Sequence, residues 1–186
     1  MSNRSAFTWM FWAFIFLLVN FYLQGINLLP DVVGYILLAV GANQLRQSHP
    51  RFQTVYVLCF PMMVLSIPNL HKAVQPSGVH FTFAAGSPLL WAAGTISWIV
   101  MFFVVYNICR GIADIALASL HDVLAEQAMV RWKLYVILQV GSGVVTVLGL
   151  LQFSGIIVML GILVLIYALV VAILFATWLW QCREKL

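Results

Sequence analysis

IIVMLGILVLIYALVVAILFATWLWQ, residues 156–181, runs through 26 positions without one charged side chain. A bilayer's hydrocarbon core of roughly 30 Å takes about 20 helical residues, so this stretch predicts a membrane-spanning helix. Five further stretches qualify or come close: 7–24, 31–46, 53–70, 89–109 and 133–152. The whole chain is 64% hydrophobic and 8% charged, with a mean hydropathy of +1.05. A soluble domain carries roughly 25% charged residues. The expectation is an all-α, polytopic membrane protein, one domain of 186 residues forming a bundle of six transmembrane helices.

The charges predict the threading. With the amino terminus in the cytoplasm, Arg4, Arg46, Arg51, Arg110, Arg131, Lys133, Arg183 and Lys185 fall inside and only Lys72 outside. Positive charge in short loops sets orientation, so both termini are expected to be cytoplasmic. Trp9, Trp12, Trp132, Tyr135, Trp178 and Trp180 read as aromatic anchors near the inner boundary, with Tyr22 and Trp91 near the outer one. The first stretch exceeds a signal peptide's apolar region and lacks a cleavage motif, so it reads as a retained span. The net charge of +4 is scattered singly over loops, which argues against nucleic acid as a partner.

Pro61, inside the third stretch, predicts a kink there, with Pro68 near its end. Segment 110–131 is too polar to span, with Asp114, His121, Asp122 and Glu126. It is expected to be an amphipathic cytoplasmic helix at the interface, or a continuation of the fourth span. The outer connection, 71–88, is expected to fold back as a cap.

Asp31 is the sole acid among the first 113 residues. Asn20, Gln24 and Asn27 recur at i, i+4 and i+7, which on a helix makes one polar stripe leading to Asp31 and Tyr35. Asn69 and His71 end the third span on the same side. These seven residues form the candidate ligand-binding site, because intramembrane polar and ionisable groups face a cavity or a partner. The competing reading is that Asn27 and Asp31 only cap and break a hairpin. On the opposite side Asn107, Arg110 and Asp114 repeat at i, i+3 and i+7. They are either a helix-stabilising pair or a cytoplasmic gate facing Asn43, Gln44 and Gln139.

Nothing points to catalysis. His49, His71, His80 and His121 share no ligand spacing, the three cysteines are isolated, and no metal site or cofactor is expected. Ser142, Thr146 and Gly149 share one face, as do Ala168, Ala172 and Ala176, which suits close helix packing or a dimer seam. The expected partners are the lipid bilayer, a small solute or ion, and a membrane-protein partner or second copy. Two readings follow: a non-enzymatic solute-binding or transport protein with its site near Asp31, or a structural or regulatory subunit docking a partner through 110–131.

Asn20 to Leu45, with Gly25-Ile26-Asn27-Leu28-Leu29-Pro30-Asp31-Val32-Val33-Gly34-Tyr35, resembles a pattern in small multispan membrane proteins of Gram-positive bacteria. Their outside loop reads roughly Leu-Pro-Asp-x-x-Gly-Tyr; many carry an acid where this chain has Asn27. That family has no assigned activity, so the resemblance implies a bacterial cytoplasmic membrane and nothing catalytic. In length and threading the chain is also similar to the substrate-binding subunits of energy-coupling factor transporters. It has Ala6 and Ala13 in the first span but no Ala-x-x-x-Ala docking pattern, so that similarity is one of architecture.

Overall fold

The computed structural model describes residues 3–18, 22–23, 26–27, 31–66, 88–150 and 154–186. Six helices carry the fold: α1 (Asn3–Leu18), α2 (Asp31–Leu45), α3 (Arg51–Ser66), α4 (Pro88–Ala118), α5 (Asp122–Leu150) and α6 (Ser154–Lys185). Two-residue strands β1 (Tyr22–Leu23) and β2 (Ile26–Asn27) pair antiparallel between α1 and α2, Tyr22 opposite Asn27.

Among the described residues two helices are long and apolar enough to cross a membrane, over Ala92–Ala118 and Val158–Lys185. Only 22% and 11% of their most apolar windows is buried, so they are not the enclosed helices of a soluble core. The described lengths of α1, α2 and α3 are 16, 15 and 16 residues. At about 1.5 Å per residue they fall short of a roughly 30 Å core.

Consecutive helices pack on one another, and α1 closes the ring against α6. Side-chain register shows that most neighbours run antiparallel. On α1 and α6, Phe11 meets Trp180 and Phe14 meets Phe175, with ring centroids 5.4 and 5.2 Å apart. On α5 and α6, the Arg131 Nε–H donates to the Leu174 carbonyl at 3.3 Å, and the Tyr167 hydroxyl to that of Leu134 at 3.0 Å. On α4 and α5, Tyr106 packs on Trp132, while the Trp98 indole N–H donates to Ser142 Oγ at 3.5 Å.

α1 and α2 cross closely because small residues line both sides. A Cβ on Gly41 would lie 2.9 Å from the Ala6 carbonyl oxygen, and one on Gly34 would lie 2.7 Å from Leu17 Cγ. Gly34 and Gly41 stand seven apart, as do Ala6 and Ala13, so two turns of each helix present the same smooth face. Gly111 plays this part between α4 and α3, where a Cβ would meet the Phe52 ring at 2.9 Å.

The apolar core gathers at the end of the ring that holds both termini. Phe7, Met10, Leu38, Leu45, Phe52 and Ile108 are fully buried there, with Ile112, Leu124, Trp178 and Leu179. Towards the other end α4, α5 and α6 expose Ile96, Ile99, Val144, Met159, Leu163 and Leu165. The fully buried side chains thus lie towards the terminal end, while exposed apolar side chains occur at both levels of the ring, among them Trp9, Trp12 and Val130 towards the termini.

Two expectations are corrected. Segment 110–131 is not one interfacial helix: its first part continues the fourth helix, the second of the two expectations for it, with α4 running to Ala118, and α5 begins at Asp122. The break is a Schellman closure. The His121 N–H donates to the Ala116 carbonyl at 2.8 Å and the Leu120 N–H to that of Leu117 at 3.1 Å, with Leu120 at φ 59°. Tyr22–Leu23 and Ile26–Asn27 do not extend a first-span helix, since they are extended and paired. Tyr and Ile favour strands, and Gly25 between them is a poor helix former. The third helix runs through Pro61. Pro68 and the proposed cap, 71–88, lie outside the described residues, apart from Pro88, the first residue of α4.

Candidate functional site

At the terminal end, Asp114 on α4 collects partners from three elements. The Arg51 Nε–H, in the first turn of α3, donates to its Oδ2 at 3.2 Å. His49, in the connection between α2 and α3, places Nε2 at 3.4 Å from the same oxygen. Arg110, one turn back on α4, holds Nε 3.9 Å from Oδ1. His49 is oriented by its own backbone neighbour: the Arg51 N–H donates to its Nδ1 at 3.3 Å. An accepting Nδ1 puts the ring proton on Nε2, where it points at the carboxylate. The Arg51 guanidinium also lies over the Tyr106 ring, 5.8 Å from its centroid.

These groups are one-quarter to one-half exposed, so each pair contributes at most about 1 kcal/mol. Their value is positional. One carboxylate holds the α2–α3 connection, the start of α3 and the end of α4 in one arrangement.

Of the expected gate residues, Arg110 and Asp114 belong to this cluster and Asn107 does not. The Asn107 amide donates to the Phe103 carbonyl of its own helix at 2.8 Å. Gln44 accepts from the Ser5 hydroxyl at 2.7 Å, which ties α2 to α1 instead. Gln139 is buried and donates to the Trp98 carbonyl at 3.4 Å. The members that sequence reading missed are His49 and Arg51. Their signal was faint: a basic loop of otherwise ordinary composition, 63 positions from the acid that it meets.

Towards the other end, Asp31 opens α2 and is partly buried. It is engaged in an interaction of its own. A carboxylate in the first turn also suits the helix dipole. Tyr35, one turn on, is buried at 9% exposure. It lies within electrostatic range of Asp31, of Cys59 on α3 and of Tyr135 on α5. Tyr135 in turn lies within range of Cys109 on α4. Read from sequence as an interfacial anchor, Tyr135 packs against the core.

Asn20, Gln24, Asn69 and His71 lie outside the described residues, and Asn27 is placed by its backbone in β2. The described part of the candidate binding site is therefore Asp31 and Tyr35. Among the described residues no group of three or more His, Cys, Asp or Glu side chains is arranged to hold a metal ion.

No protein-family model, curated protein or solved structure matches this chain.

Proposed function

We propose that the chain is an integral membrane protein whose six apolar stretches, 7–24, 31–46, 53–70, 89–109, 133–152 and 156–181, all cross the bilayer, with both termini on the cytoplasmic side. In this reading it binds or transports a small solute or ion through an outward-facing site at Asp31 and Tyr35. The observation that carries it is the contrast between the two ends. One is filled with apolar side chains and tied across helices by Asp114; towards the other, an acid that opens α2 is followed one turn on by a buried tyrosine. The outward exposure of α4 to α6 fits lipid as their solvent, because apolar side chains on a bundle's outer surface cost nothing in hydrocarbon. Arg46, Arg51, Arg110 and Arg183 cluster towards the terminal end, as cytoplasmic positive charge requires. A single carboxylate favours a cation or a small amine as the solute.

The test is thermal stabilisation of the purified protein by sodium, potassium, magnesium and a set of small amines, in wild type, Asp31→Asn and Tyr35→Phe. The reading predicts that at least one probe raises the wild-type Tm and does so far less in Asp31→Asn. If no probe shifts the wild type, and Asp31→Asn changes only the basal Tm, Asp31 merely begins a helix.

One observation favours a second reading, in which the protein is a regulatory or structural subunit. The α4–α5 turn exposes Leu117 at 52%, Leu120 at 91% and Val123 at 67%. A partner copurified with wild type and lost with Leu120→Ser and Val123→Ser would favour docking through this tip.

A further inference from the structure

The turn between α4 and α5 carries a leucine where the backbone favours glycine. Leu120 stands at φ 59° and is 91% exposed, so a strained position holds a large apolar side chain that packs on almost nothing in its own chain. Leu117 and Val123 flank it and are exposed as well. Apolar side chains gathered on one exposed tip mark a contact surface. The charges beside the tip set the kind of occupant. Asp122 and Glu126 lie one turn apart on α5, both exposed, and neither forms an ion pair with any described residue. From 111 to 130 the chain has no Lys or Arg. The arginines that bracket this stretch are engaged elsewhere, Arg110 beside Asp114 and Arg131 on the Leu174 carbonyl. Asp122 also suits the positive end of α5, whose first residue it is. Glu126, beyond the first turn, has no such role.

We infer that this tip docks a basic amphipathic helix of a partner protein, its apolar face on Leu117, Leu120 and Val123 and its Lys or Arg side chains at Asp122 and Glu126. The inference rests on the docking reading of the tip and names the chemistry of the partner. A lipid surface is a poorer occupant. Helices that lie on membranes carry Lys and Arg beside their apolar face, whereas these acids would meet an anionic leaflet. A second copy docked tip to tip would set the same two acids against each other.

The test uses the full chain in phosphatidylcholine nanodiscs and fluorescein-labelled peptides of equal length: an amphipathic Leu/Lys helix, its Leu/Glu counterpart, and a Ser/Lys peptide without the apolar face. Binding is read by anisotropy, after subtraction of empty discs. The Leu/Lys peptide should bind wild type about tenfold more tightly than either of the others. Leu120→Gly should weaken it about tenfold and Glu126→Gln about fivefold. Glycine at 120 relieves the backbone, so its loss of binding reads the contact and not the fold. Equal binding of the Leu/Lys and Leu/Glu peptides, or an affinity unchanged in Leu120→Gly and Glu126→Gln, overturns the inference. A bimane on Ser119→Cys that brominated phosphatidylglycerol quenches would assign the tip to the lipid surface instead, and disulfide-linked dimers of Ser119→Cys would assign it to a second copy. Copurification separates the two levels of the argument. A partner lost with Leu120→Ser and Val123→Ser but fully retained in the Asp122→Asn, Glu126→Gln double variant overturns the basic partner alone. Absence of both peptide binding and such a partner overturns the docking reading with it.

Discussion

Arg51 donates its Nε–H to Asp114 Oδ2 at 3.2 Å, joining the first turn of α3 to the last turns of α4 across 63 positions of sequence. Because His49 shares that oxygen, Asp114→Asn is expected to loosen two contacts together and leave two arginines facing each other. The expected loss is about 1–2 kcal/mol, at the low end for charge-assisted hydrogen bonds because the groups are partly solvated. Denaturant unfolding in mild detergent measures it. A double-mutant cycle with Arg51→Gln should return a coupling of about 0.5–1 kcal/mol. Purely additive losses would show that the pair does not act as a tie.

The glycines of the ring predict graded effects. Gly41→Ala drives a Cβ to 2.9 Å from the Ala6 carbonyl oxygen, a backbone atom that cannot rotate away. Separation of α1 from α2 is expected to cost about 1–3 kcal/mol. Gly34→Ala should cost less, because only the Leu17 side chain comes under 3.0 Å and the nearest backbone atom, the Ala13 carbonyl oxygen, stands at 3.2 Å. Gly94, with nothing within 4 Å of a Cβ, is the control: alanine there should be neutral or stabilising by up to about 1 kcal/mol. Thermal unfolding of the three variants checks the order, and equal losses at Gly41 and Gly94 would contradict the close crossing.

Leu120 closes α4 at φ 59°, a conformation that costs a branched side chain about 1–2 kcal/mol. Leu120→Gly should therefore stabilise the hairpin by roughly 0.5–1 kcal/mol, and Leu120→Val should destabilise it. Hydrogen exchange at the His121 amide, which closes the turn onto Ala116, reads the local effect. Slower exchange in Leu120→Gly is expected, and faster exchange would show that Leu120 makes contacts worth more than its strain.

The order of apolar and polar segments made six helices legible, since each needs only local pattern. The start of α2 at Asp31 was legible too, because a proline and an acid mark a helix's first turn. The break at 119–121 was not, because its left-handed position holds Leu120 where a glycine would have announced the cap. Helical spacing was assumed from Asn20 to Asn27, whereas Tyr22–Leu23 and Ile26–Asn27 pair as strands. At the site, Asp114 was visible as a charge with an i–4 arginine. Its stronger partner, Arg51, comes from the packing of α3 on α4, which no local pattern encodes.

The central claim is that the ring crosses a membrane with its terminal end on the cytoplasmic side, and cysteine accessibility tests it most directly. Cys59, Cys109 and Cys182 are buried, which leaves a quiet background for single added thiols. Ser48, in the α2–α3 connection, and Ser119, in the α4–α5 turn, are both exposed at the terminal end. Ser77 lies in sequence between α3 and α4. The account predicts that a membrane-impermeant maleimide labels Ser77→Cys in intact cells, and labels Ser48→Cys and Ser119→Cys only after permeabilisation. Labelling of Ser48→Cys and Ser119→Cys from opposite sides, or of all three from the same side, would contradict it.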